Sequence, residues 1–274
     1  MQDDIIKINW FPGHMKKALD QIKDKIKIVD LFIEVVDSRC VTSSSNDELR
    51  KLANNKPILT IALKDDLSNV NKSQHSNILF GSTKNKNFKK EIINKLYSLL
   101  DEKIAKYKSK GLMKPKFLIM IVGLPNVGKS SLINFLKSKN TLISRNQPGV
   151  TKSQQIVNIN ENFDLIDTPG ILFKNISDIT TAYKLSLVNC IKKEILPIEK
   201  VLEFGYNFFI QQDKKALLDY YGIQEPQDYF DFVDKVCEKY KFYNSNKEND
   251  MNRFETMIFN DFSLCKFGKV HYDE

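Results

Sequence analysis

The chain has 274 residues, 42% of them hydrophobic, and a formal net charge of +8. This length fits one large domain or two ordinary ones with a sizeable core, and the positive balance suits an acidic partner without identifying one. Cys40, Cys190, Cys237 and Cys265 form no Cys-x-x-Cys, and His14, His75 and His271 stand far apart, so no zinc site is expected and the thiols should be reduced. Asp3 and Asp4 open the chain and no long apolar run follows, which predicts a soluble cytoplasmic protein with no signal peptide and no membrane partner.

Residues 8–14 read Ile-Asn-Trp-Phe-Pro-Gly-His and contain a Pro-Gly turn. Met15, Leu19, Ile22, Ile26 and Val29 then recur at helical spacing with lysines between them, an amphipathic helix with a packing stripe. Residues 31–36 form an apolar run ending in Asp37, the pattern of a buried strand. A polar loop over 37–46 and a helix over 47–54 follow. Residues 57–63 are a second buried strand, and Lys64-Asp65-Asp66 lies at its carboxyl end, where ligands bind in open α/β sheets. A third short strand, 78–80, runs into Gly81-Ser82-Thr83. Phe88, Ile92, Leu96 and Leu99 share one face of a helix over 88–100, and 101–116 is a lysine-studded connector, read as a solvated helix end and linker.

The most informative stretch is Gly123-Leu-Pro-Asn-Val-Gly128-Lys129-Ser130-Ser131. An apolar run, 117–122, precedes it, and Leu132, Ile133, Phe135 and Leu136 follow at helical spacing. Strand, tight loop and helix with the spacing G-x-x-x-x-G-K-[ST] make a nucleotide phosphate site. Small residues let backbone N–H groups close around phosphate oxygens, and the helix N-terminus adds positive potential. Lys129 can reach the β- and γ-phosphates, and Ser130 can hold Mg²⁺.

Downstream, residues 145–155 are a polar loop that includes Thr151. Residues 156–159 and 163–166 read as paired strands around an Asn-Glu-Asn turn, and the second ends in Asp167-Thr-Pro-Gly170. An aspartate at that position can hold Mg²⁺, and Gly170 leaves its N–H open to a γ-phosphate. Beyond about 177 the strand pattern stops. Helices are expected over 179–195, 198–211, 214–221, 227–240 and 251–262, with Pro197 and Pro226 at helix starts and Phe204, Phe208, Tyr220, Phe230, Phe232 and Tyr240 as core. The tail over 266–271 is basic and has the composition of an arm.

The order of these motifs is unusual. In ordinary GTPases the phosphate loop comes first and the guanine-reading Asn-Lys-x-Asp comes last; here Leu63-Lys64-Asp65-Asp66 and Gly81-Ser82-Thr83 precede the loop. With Trp10-Phe-Pro-Gly-His-Met15 in front, Asp37-Ser-Arg39, Pro148-Gly-Val-Thr151, Ser153-Gln-Gln155, Asp167–Leu172 and Lys266-Phe-Gly268, the chain resembles the YlqF/RbgA family of circularly permuted ribosome-assembly GTPases nearly end to end. The resemblance implies an α/β fold: a permuted P-loop GTPase domain over 1–176, with a mostly parallel sheet and helices on both faces, then a small all-helical domain over 177–274. It implies a monomeric GTPase that binds GTP and GDP, assists late maturation of the large ribosomal subunit, and contacts ribosomal RNA through the helical domain.

Carried onto this sequence, the resemblance has Asn126, Val127, Gly128, Lys129, Ser130 and Ser131 cradle the phosphates, with Asn126 also a ligand for an activating K⁺. Ser130, Thr151 and Asp167 would hold Mg²⁺, and Thr151 and Gly170 would sense the γ-phosphate. Leu63, Lys64 and Asp66 would flank the guanine, with Ser82 and Thr83 near its O6. Ile171 stands where Ras-like enzymes place the glutamine that orients water, and an isoleucine cannot hydrogen-bond a water. The resemblance assigns that task to His14, with Lys129 and Thr151 completing the catalytic set.

Three positions depart from the family. Leu63 replaces the asparagine that holds the base and braces the phosphate loop, Val41 replaces a proline, and Ser263 replaces an arginine near the tail. Asp66 is kept, so discrimination against adenine should survive, with affinity lower by about 1–3 kcal/mol for one lost contact. Leu63 and Ile171 also suit a second reading, a nucleotide-dependent RNA-binding scaffold with little hydrolysis. A third, an ATP-using enzyme, is opposed by Asp66, because guanine offers it two donors where adenine presents an acceptor.

Overall fold

The structure, a computed structural model, describes residues 25–53, 55–138, 156–167, 176 and 178–273. Trp10 to His14, most of the helix predicted over 15–29, Thr151, and Gly170 with Ile171 lie outside the described residues.

The apolar runs form the strands β1 (Leu31–Asp37), β2 (Ile58–Leu63), β3 (Ile78–Phe80), β4 (Phe117–Gly123), β5 (Ile156–Asn158) and β6 (Phe163–Ile166). They make one sheet in the order β3-β2-β1-β4-β6-β5, parallel except for the antiparallel β5·β6 pair. Between and after them lie the helices α1 (Val41–Ser44), α2 (Asp47–Ala53), α3 (Phe88–Leu99), α4 (Asp101–Ser109), α5 (Lys129–Leu136), α6 (Ile179–Leu187), α7 (Ile198–Tyr221), α8 (Tyr229–Tyr240) and α9 (Met251–Ser263).

Parallel strands covered on both faces read as continuous apolar runs, and β1 is buried at all seven positions. Its side chains divide with a period of two. Phe32 joins Val29, Leu49, Met120 and Ile166 on one face. Leu31, Ile33 and Val35 join Phe88, Ile92, Leu132 and Leu136 of α3 and α5 on the other. That second cluster continues without a break into Leu185, Tyr206, Phe232 and Phe262 of the helical region. Glu34, the acid in the middle of β1, is satisfied: it accepts the Asn46 N–H at 2.8 Å and the Thr60 hydroxyl at 3.0 Å.

From β1 the chain moves outward to β2 and β3, then returns to β4 on the other side of β1. The boundary between β1 and β4 is a topological switch point, where such sheets open a crevice at their carboxyl ends. Asp37 and Gly123, the last residues of those two strands, therefore stand at the crevice. A side chain at Gly123 would place its Cβ 2.4 Å from the Val35 carbonyl oxygen, so the close approach of the strands there requires glycine.

Several sequence expectations change. The polar loop over 37–46 contains the short helix α1, whose Thr42 and Ser43 N–H groups are capped by the Asp273 carboxylate at 2.7 and 3.0 Å. The helix predicted over 179–195 ends at Leu187, because Asn189 takes a left-handed conformation (φ 68°) and turns the chain. The 101–116 connector is helical through Ser109, and three of its six lysines are paired: Lys103 with Asp30, Lys114 with Glu161, and Lys116 with the buried Asp164. The aromatic core of the helical region uses Tyr206, Phe209, Tyr221 and Phe254 beside the predicted Phe232; Phe230 is 61% exposed, and Tyr220 and Tyr240 are exposed as well. The 266–271 segment is not an arm: Val270, His271 and Tyr272 are buried. Among the described residues, no helix is long and apolar enough to cross a membrane.

Candidate functional site

The carboxyl ends of β1, β2, β3, β4 and β6 gather most of the described motif residues at one edge of the sheet. The phosphate loop leaves β4 at Gly123 and enters α5 at Lys129. Asn126 and Gly128 hold positive φ, 58° and 108°, a bend that only small or short polar residues make cheaply. A side chain at Gly128 would also place its Cβ 2.9 Å from Leu63 Cδ1. Leu63 is 2% exposed and packs in the same cluster as Val127. Leu63 therefore meets the loop by apolar packing at Gly128 and Val127. Val127 points into the core, so its backbone alone faces the loop interior.

Lys129, 7% exposed, donates to the carbonyl oxygens of Gly123 at 3.1 Å and Leu124 at 2.7 Å. Burial lowers its pKa to about 8, against the opposing pull of the nearby Asp167 carboxylate. Ser130 and Ser131 are exposed in the first turn of α5, with hydroxyls available to a ligand. Asp167 follows the last residue of β6. A serine hydroxyl and a carboxylate near an anion-binding helix start are hard oxygen donors of the kind Mg²⁺ takes together with phosphate oxygens.

The residues expected from the sequence to flank a guanine lie across the switch point. Lys64 is left-handed (φ 61°), which turns the chain out of β2 and into the single turn Asp65–Leu67. Its ammonium bridges the Asp37 carboxylate at 2.8 Å and the Asn126 carbonyl oxygen at 2.9 Å. The β2 turn is therefore tied directly to the phosphate loop. Asp66 is half-buried. Burial alone would raise its pKa, but hydrogen bonds from Lys84 and Ser82 outweigh this and keep the carboxylate ionised below the ordinary range. Lys84, 2.6 Å from Asp66, has an 80% exposed side chain, so a ligand displaces it at little cost. Ser82 and Thr83 follow β3, and the β2 and β3 ends are held together by the Gly81 N–H on the Ala62 carbonyl at 3.0 Å.

Sequence reasoning missed two features of this site. Asp37 is fully buried and takes Arg39 Nε at 2.8 Å, Arg39 Nη2 at 2.7 Å and Lys64. Burial raises its pKa, yet the paired cations win and hold it below the usual carboxylate value. An Asp-x-Arg after a buried strand was the available signal. The second is Asn189, whose carbonyl accepts the Asn126 side-chain amide at 2.9 Å; its sequence surroundings carry no motif. With Nδ2 engaged there, Asn126 Oδ1 is the oxygen that amide offers to a ligand. Among the described residues, no group of three or more His, Cys, Asp and Glu could hold a metal.

The family described as 50S ribosome-binding GTPase matches residues 118–228, a span with the phosphate loop and Asp167 but without the Lys64–Asp66 turn. A probable ribosome biogenesis GTPase A of Mycoplasma pneumoniae is 39% identical over 98% of this chain and 97% of its own. Ribosome biogenesis GTPase A of Priestia megaterium is 32% identical over 97% of this chain and 96% of its own. Among solved structures, GNP-bound YlqF from T. maritima shares the fold with a TM-score of 0.65, at 23% identity over 93% of this chain and 97% of that one.

Proposed function

The chain belongs to the ribosome biogenesis GTPase A family, and from that premise we propose that it hydrolyses GTP in late assembly of the large ribosomal subunit, with nucleotide state controlling its hold on ribosomal RNA. One observation carries this reading. The phosphate loop and the Lys64–Asp66 turn meet across the β1/β4 switch point and are joined by the Lys64–Asn126 hydrogen bond.

Each residue then has a task. Backbone N–H groups of 126–131 and the α5 N-terminus take the phosphates, and Lys129 turns from the Gly123 and Leu124 carbonyls onto the β- and γ-oxygens. Asp66 accepts the two hydrogens of the guanine edge in place of the Lys84 ammonium, while Lys64 and the Ser82-Thr83 turn flank the ring. Ser130 and Asp167, with Thr151, would hold Mg²⁺, which when bound neutralises charge developing on the phosphoryl oxygens. Asn126 Oδ1 suits a K⁺ ion as an amide oxygen donor. Gly170 gives its N–H to the γ-phosphate, and His14 orients water, a task the apolar side chain of Ile171 cannot perform. The protein acts in the cytoplasm as a monomer; 1–176 serves as the GTPase domain, and the helices of 177–274 meet the ribosome.

The test is multiple-turnover GTP hydrolysis in Mg²⁺ and K⁺ with and without large ribosomal subunits. Slow intrinsic turnover, stimulated by the subunit and abolished in His14→Ala, is expected. Guanine binding with no turnover in either condition would leave the scaffold reading standing and overturn this one.

A further inference from the structure

We propose that Arg39 is a positioning residue for the guanine side of the nucleotide site, through which the helical region and the 268–273 segment set the placement of Lys64 and Asp66. The inference rests on the guanine-nucleotide reading of that site and adds to it a partner inside the same chain.

Arg39 is 1% exposed and every part of it is engaged. Two of its nitrogens fork onto Asp37, which in turn holds Lys64. Its remaining donors point away from the sheet: one to the carbonyl of Ser263 at the end of α9, another to the Val188 carbonyl after α6 at 3.3 Å. A guanidinium supplies this many donors in one plane, which an ammonium cannot. The Arg39 backbone oxygen takes the Tyr272 N–H at 2.6 Å. Two residues earlier, the Val270 N–H reaches the carbonyl of Leu67, which closes the turn carrying Asp66, at 3.1 Å.

A second contact lies beside the first. Val188 and Asn189 are adjacent, and their carbonyls receive Arg39 and the phosphate-loop Asn126 respectively. One turn of the helical region therefore touches both halves of the nucleotide site. The coupling has a physical cause. A fully buried carboxylate does not tolerate loss of its cations, so Asp37, Arg39 and Lys64 rearrange together or not at all. Any shift of α6, α9 or the 268–273 segment then moves the residue that flanks the base. By reciprocity, filling the base site stiffens those remote segments.

The experiment is hydrogen exchange on the full chain with and without GDP, together with fluorescent GDP and ADP titrations, for the wild type, Arg39→Lys and Asp273→Asn. In the wild type, GDP should slow exchange at Val270, Tyr272 and the 188–191 turn. Arg39→Lys should weaken GDP about tenfold, a fold-change typical of a lost charged hydrogen bond, and erase the protection at the 188–191 turn, whose Val188 carbonyl the guanidinium holds, while guanine preference persists. Asp273→Asn loosens the capping of α1 from the other side and should weaken GDP a few-fold by the same route. A merely structural Arg39 would lower thermal stability and leave GDP affinity unchanged, which overturns the proposal. Should Arg39→Lys fail to fold, absence of GDP-dependent protection at 270–272 in the wild type overturns it as well. A wild type that binds no guanine nucleotide would instead overturn the reading of the site on which the proposal rests.

Discussion

The two halves of the proposed nucleotide site are built in different ways. The phosphate half is local: one nine-residue stretch, bent by Asn126 and Gly128 and closed by the first turn of α5, brings its own backbone donors and its own lysine. The guanine half is assembled from distant parts of the chain. Asp66 is held by Ser82 and Lys84, Lys64 by Asp37, Asp37 by Arg39, and Arg39 by the ends of α6 and α9. The phosphate half should therefore respond to changes in its own residues, and the guanine half to changes far from the ligand.

The largest effect is expected on the local half. Lys129→Ala removes the charged donor to the phosphates and should cost about 3 kcal/mol, roughly a hundredfold in GTP affinity, with turnover lost; filter binding and phosphate release check this. On the guanine half, Asp66→Asn should lower GDP affinity about thirtyfold, near 2 kcal/mol, and shift preference toward xanthosine nucleotides, which a competition titration reads.

The pH dependence tests the phosphate half without mutation. Lys129 has its pKa lowered by burial from 10.5 to about 8. Phosphates favour the ammonium form, so above about pH 8 binding must take up a proton, and affinity should fall by up to about tenfold per pH unit. The folding term has the opposite sign. The unfolded chain binds this proton between about 8 and 10.5 while the folded chain does not, so this lysine's contribution to stability rises with pH across that window. Isothermal titration from pH 7 to 9.5, beside thermal melts of the free protein, separates the two.

The smallest change in affinity is expected where the halves meet. Leu63→Asn restores the polar brace but places an amide in an apolar cluster beside Gly128. Stability should fall by about 2 kcal/mol, while GDP binding tightens by a few-fold from the regained hydrogen bond. Chemical denaturation and titration of the same variant check the two parts.

This contrast also explains what could be read in advance. The phosphate loop, the strands and Asp167 follow from apolar runs and fixed spacing, which depend on neighbouring residues. The Asp37–Arg39–Lys64 node left only an Asp-x-Arg after a buried strand as its signal, because two of its partners are backbone carbonyls at Val188 and Ser263, and a carbonyl has no sequence signature. The left-handed turn at Asn189 was missed for the same reason, and with it the early end of α6. The helical region's core was misassigned by one position at Tyr220 and Phe230, where Tyr221 and Tyr229 are buried; at a helical pitch of 3.6 residues a one-residue error rotates the face by about 100°.

The measurement that bears on the whole account is a titration of the purified chain with fluorescent GDP, GTP and ADP in K⁺ and in Na⁺ buffer. Guanine-selective binding is expected despite Leu63, with ADP weaker by at least about a hundredfold because an adenine edge leaves Asp66 facing an acceptor. Equal affinity for GDP and ADP would contradict it, since the Lys64–Asp66 turn would then read no base at all.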